Sequence, residues 1–106
     1  MENIIKIASN SFDEMFKLAK SLQNNELTEG QEVEIEGTAS VCCSQLSIGQ
    51  GNDNGEWFGT SLVVNGWSSD DLPEDGTPIK VSAFVKKNTE YFFEYLETTP
   101  DKVTIL

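Results

Sequence analysis

The chain predicts a small mainly β protein, in which one N-terminal helix precedes about five strands that close into a barrel. Three observations carry this. An amphipathic helical stretch stands near the start. Long runs of strict apolar–polar alternation follow it. A glycine, Gly37, interrupts the most regular of these runs, where a strongly coiled barrel strand needs a bend or bulge. At 106 residues and 38% apolar composition, one domain with one small core is expected over residues 1–106.

The helix is predicted at about 11–23. Phe12, Met15, Phe16, Ala19 and Leu22 recur three and four residues apart and so share one face. Ser11 with Glu14 three positions later matches a capping box. Asp13 and Glu14 suit the positive end of the helix dipole, and Lys17 and Lys20 the other end. Asn24 and Asn25 are poor helix formers and end it.

The barrel is predicted over about 31–97. In QEVEIEGTASVC, Val33, Ile35, Ala39 and Val41 fall on one face, and Glu32, Glu34 and Glu36 on the other. Cys42 and Cys43 close this run; on a strand they point to opposite faces, and two free thiols are expected. The glycine-rich GQGNDNG matches neither a dinucleotide fingerprint nor a phosphate loop. Its third glycine falls at position seven, no lysine is present, and a strand-like segment follows. It reads as a turn built on Asn54-Gly55.

EWFGTSLVVNGW is strongly β-prone, and Asn65-Gly66 suggests a hairpin from which Trp67 starts a returning strand. SSDDLPEDGTP is a polar connection. In IKVSAFVKK, Ile79, Val81, Ala83 and Val85 point inward, while Lys80, Ser82 and Lys86 point out and Phe84 either points out with them or lies under the helix. TEYFFEYLE is a last aromatic strand, and KVTIL is expected as an edge strand beside IIKIA.

Composition narrows the function. Eighteen acidic side chains face seven basic ones, giving a net charge of −11. Every basic residue is lysine, and histidine is absent. Such a molecule repels nucleic acid at long range and lacks the arginine fork that reads phosphates and bases. Without histidine, the commonest general base and metal ligand is missing, so no catalytic residues, metal or cofactor are expected and an enzyme is the weakest class. The acidic group Asp70, Asp71, Glu74 and Asp75 lacks calcium-loop spacing and contains Pro73. No segment approaches the length of a membrane span, and the N-terminal apolar patch is broken by Lys6; a soluble, cytoplasmic protein is expected.

At VEIEGTASV and DGTPIKVSAFVKKN the chain resembles the OB-fold, and more narrowly the anticodon-binding-like OB domains of small bacterial and phage proteins. The resemblance spans about Leu27 to Glu97 and rests on alternation plus glycine. The helix that usually joins the third and fourth strands has no room in SSDDLPEDG. Sm-like or SH3-like barrels and an α+β roll remain open alternatives. What the resemblance implies is a binding module, with oligonucleotides usually held on strands two and three. The matching positions are Trp57, Phe58, Trp67 and Phe84, with Lys80 and Lys86 beside Phe84. The acidity favours docking of a protein partner, such as a basic nucleic-acid-handling protein, over direct binding of single-stranded DNA or RNA. Glu32, Glu34, Glu36, Asp70, Asp71, Glu74 and Asp75 form the candidate acidic partner surface, which in its most pointed form mimics nucleic acid, as small phage or mobile-element inhibitors do.

Overall fold

The alternation in the long strands requires an enclosed apolar side, and the chain provides one by closing a sheet on itself. The computed structural model describes residues 3–88, 90 and 93–106. Strands form at β1 (Ile5–Ile7), β2 (Glu32–Cys42), β3 (Gln45–Gly51), β4 (Trp57–Val64), β5 (Pro78–Asn88), β6 (Phe93–Thr98) and β7 (Val103–Ile105), with one α-helix, α1 (Phe12–Gln23), between β1 and β2. The order β2–β3–β4–β6–β5 closes because β5 also pairs antiparallel with β2. One pairing in this ring is parallel, Leu62 to Leu96 between β4 and β6. The result is a closed five-stranded OB-like barrel with two added strands, since an open α+β roll would leave β2 and β5 unpaired. β1 adds in parallel to β2, and β7 adds antiparallel to β5. The C-terminal strand therefore does not pair with the N-terminal one, because β7 finds the open side of Ile79–Val81 instead.

Of the expected inward residues, Val33, Ile35, Ala39, Ile79, Val81, Ala83 and Val85 are buried, and Val41 near the end of β2 is only partly buried. They meet Leu46, Ile48, Leu62 and Leu96 in one core. Gly37 is where β2 changes company: residues up to Thr38 pair with β5, and Thr38 onward with β3. A methyl group at Gly37 would press on the Gly49 carbonyl, so only glycine lets the two ladders meet there.

The helix buries Met15, Leu18, Ala19 and Leu22 against β3, β4 and β6. Its N-terminus departs from expectation. Ser11 makes no side-chain cap; its backbone N–H donates instead to Gln50 Oε1 at 2.8 Å. Gln50 also donates through Nε2 to the Ala8 carbonyl at 2.6 Å and the Glu36 carbonyl at 2.8 Å. One buried amide thus ties the β1–α1 junction to β2 and takes over the role of the capping box.

Two loop expectations are also corrected. Gly49, Gln50 and Gly51 belong to β3, and the turn is confined to Asn52–Gly55. There the Asn52 side chain accepts from the N–H groups of Asn54 and Glu56. Asn65-Gly66 does turn, with Gly66 at φ +104°, but no returning strand follows. Trp67 and Leu72 instead pack partly buried against the core, flanking a single-turn 3-10 helix at Ser69–Asp71. The aromatic strand proves to be β6, although Thr89, Tyr91 and Phe92 of its expected span lie outside the described residues.

Candidate binding surfaces on the barrel

Trp57 opens β4 on the outer side of the barrel and is 40% exposed. Its indole ring lies across the sheet. A Cβ on either Gly49 or Gly59 would collide with that ring, and these two glycines are cross-strand partners in β3 and β4. The indole N–H donates to Thr38 Oγ1 on β2 at 3.2 Å. Trp57 is therefore laid flat over three strands, with a ring face turned to solvent. Ser47 and Ser61 pair on the same outer side, and Val63 further along β4 is 42% exposed. This patch is small-residue and uncharged in a molecule of net charge −11.

Beside the indole a pocket of about 250 Å³ runs between α1 and β4, lined by Gln23, Ser47, Thr60, Ser61 and Glu94 among others. Glu94 is 3% exposed. Its Oε1 accepts the Leu27 N–H at 3.1 Å, and its Oε2 has no hydrogen-bond partner among the described residues. A buried acceptor left in this condition favours a cationic or hydrogen-bonding visitor.

The second surface is centred on Phe84, which points outward from β5 as the alternation predicts. Lys102 Nζ lies 5.9 Å from the ring centroid. Phe84, Lys86 and Lys102 share a pocket of about 390 Å³ with Glu29, Asn65 and Glu97. The two carboxylates offset the two ammonium groups, so the pocket holds no surplus of positive charge for phosphate.

The remaining candidates disperse. Phe58 packs edge-on against Phe16 at 4.7 Å and Phe12 at 5.9 Å, fastening α1 to β4. Trp67 belongs largely to the barrel end. Lys80 pairs with Glu36 at 3.8 Å, and Lys6 with Glu34 at 3.8 Å, so the acidic row on β2 is partly neutralised. Glu32 Oε2 accepts a long hydrogen bond from Ser82 at 3.4 Å. In the connection, Asp71 accepts from the Ser68 N–H at 2.8 Å and Asp75 from the Val41 N–H at 2.9 Å. Asp71 shapes a local turn and Asp75 ties the connection to β2, while Asp70 and Glu74 remain part of the solvated exterior. Among the described residues no three His, Cys, Asp or Glu groups gather as metal ligands, and no helix is long and apolar enough to cross a membrane.

Sequence reasoning named Trp57 but missed its glycine bed, Gln50, Glu94 and Lys102. The spacing of Gly49 and Gly59 carried a faint signal, because paired small residues on adjacent strands leave room for a large neighbour; without the β3–β4 register it could not be read. No protein-family model matches the chain, and no curated protein matches it at a significant level.

Proposed function

We propose that this protein is a non-enzymatic OB-like docking module that binds a basic protein partner through the outer face of β3 and β4, with Trp57 as the anchor. The carrying observation is the flat, half-exposed indole, held by Thr38 and bedded on Gly49 and Gly59. Tryptophan is the residue type most often found at interface hot spots, and a pre-positioned ring loses little freedom on binding. The Glu94 carboxylate beside it supplies a reason for the partner to present a lysine or arginine side chain there. The acid-rich surroundings steer basic partners toward the face. Kinship with the small bacterial and phage OB domains forms part of the same proposal. The nucleic-acid-mimic version is less favoured, because Lys6 and Lys80 interrupt the acidic row, Asp71 is engaged in a turn and Asp75 is tied to β2.

One observation favours a second reading. Trp57 spans the second and third barrel strands, the surface on which OB barrels stack single-stranded nucleic acid. A single experiment separates the two. The tagged full chain, its Trp57→Ala variant and a Phe84→Ala variant are used to capture partners from native lysate, with and without nuclease. A nuclease-resistant protein retained by Phe84→Ala and weakened at least about thirtyfold by Trp57→Ala is expected. Loss of capture on nuclease treatment, with indole quenching by a single-stranded oligonucleotide at low salt, would transfer the site to nucleic acid. Equal capture by Trp57→Ala would remove this face from consideration.

A further inference from the structure

Cys42 is the last residue of β2 and pairs with Gln45 at the start of β3. Between them, Cys43 and Ser44 form a two-residue turn with φ values of 57° and 64°. Had the strand continued, the two thiols would have pointed to opposite faces. The left-handed turn swings Cys43 back instead. The two Sγ atoms come within 3.3 Å of each other, and both residues are exposed at the hairpin tip.

We propose that Cys42 and Cys43 form a dithiol site that captures a trivalent arsenical, one thiophilic atom bridging the two sulfurs. The spacing argues for a bridge and against a direct bond. A disulfide needs sulfurs about 2.05 Å apart and α-carbons at about 4.4–6.8 Å. Residues joined by a trans peptide have α-carbons only about 3.8 Å apart, so the eight-membered ring of a direct disulfide is strained and easily reduced. Inserting one atom removes that strain. With sulfur bonds of about 2.3 Å, the length found on zinc, a 3.3 Å separation subtends roughly a right angle at the bridging atom. Three-coordinate arsenic(III) holds its ligands in such a pyramid. Tetrahedral zinc spreads two sulfurs to about 3.8 Å and asks for two further ligands, which the described residues do not gather.

The reaction balances without a redox partner. An organic arsenoxide and two thiols give the dithioarsenite and one water. Two arsenic–sulfur bonds form, the arsenic–oxygen bond breaks, and both thiol protons leave on that oxygen; arsenic stays trivalent. The Cys43 sulfur, then burial and the Asp75 charge, hold the Cys42 thiol above its ordinary range.

The test uses the reduced full chain and phenylarsine oxide as probe. One arsenical per chain is expected by native mass spectrometry, with both thiols lost to a thiol-counting reagent and regained on adding 2,3-dimercaptopropanol. Cys42→Ser and Cys43→Ser, each leaving one thiol, should bind at least about a hundredfold more weakly, since the second bond forms at high effective concentration. Because the folded hairpin presents the pair ready-made, binding should also raise Tm. Equal binding by either single variant, two arsenicals per chain, or a fall in Tm on binding would overturn the proposal.

Discussion

The sharpest test of the fold is Gly37→Ala. Gly37 sits in β2 at the handover from the β5 ladder to the β3 ladder. An alanine methyl there would lie closer than 3.0 Å to the Gly49 carbonyl oxygen and 3.2 Å from its carbon. Ordinary contact begins at 3.4 Å, and the obstacle is backbone rather than a side chain that could rotate away. β2 and β3 must therefore part at the bend. Overpacking of this kind costs about 1–3 kcal/mol, with a rigid obstacle placing it at the upper end. The reduced freedom of the unfolded chain returns about 0.4–1 kcal/mol. A net loss of about 2 kcal/mol is expected. In urea unfolding followed by tryptophan fluorescence and far-UV circular dichroism, with a slope of about 1–3 kcal/mol/M, the midpoint should fall by about 1 M. Stability within about 0.5 kcal/mol of wild type would show that β2 has room at residue 37 and that the barrel does not turn there.

Other outcomes are open to direct measurement. Gln50→Ala removes three part-buried hydrogen bonds at the β1–α1 junction, at about 1 kcal/mol each at most where water can replace the amide, so unfolding in urea should show a loss of about 2–3 kcal/mol. Ser44→Gly relieves a left-handed residue, φ 64°, and should stabilise by about 1 kcal/mol, read as a higher Tm in a thermal melt. The Thr99 hydroxyl is the main cause holding the Asp101 carboxyl below the usual carboxylate range, ahead of the Asp101 backbone N–H and the Lys102 charge. Because the folded state favours the ionised form, this contribution is present above the ordinary carboxylate range and is lost as pH falls through the depressed value. In Thr99→Val the Asp101 midpoint, followed by carboxyl NMR, should move up toward the ordinary value. In Cys43→Ala the Cys42 thiol, raised first by the Cys43 sulfur, should titrate lower, which ultraviolet thiolate absorbance would record. The sign is the reverse of Asp101: the Cys42 contribution is present below the ordinary thiol range and lost as pH rises through the raised one.

Local chemistry determined much of this molecule from its sequence alone. Period-two alternation identified the buried sides of β2 and β5 and turned Phe84 outward, because strand side chains alternate whatever the strand pairs with. Helical spacing located α1 and most of its buried face, and Gly37 marked the bend. β3 escaped notice: its segment QLSIGQG mixes serine, glutamine and glycine with two large apolar residues, so its period is weak. Register and closure belong to the tertiary structure. Only the β3–β4 register brings Gly49 opposite Gly59 beneath Trp57, and only packing of α1 onto β4 takes Phe58 away from the exterior. Ser11 carries a capping signal that Gln50, 39 residues away, displaces. Cys42 and Cys43 meet because the hairpin turn reverses the face that strand periodicity assigns to Cys43. A sequence pattern reports how a residue relates to its near neighbours along the chain, whereas these contacts depend on which distant segments the closed barrel sets side by side.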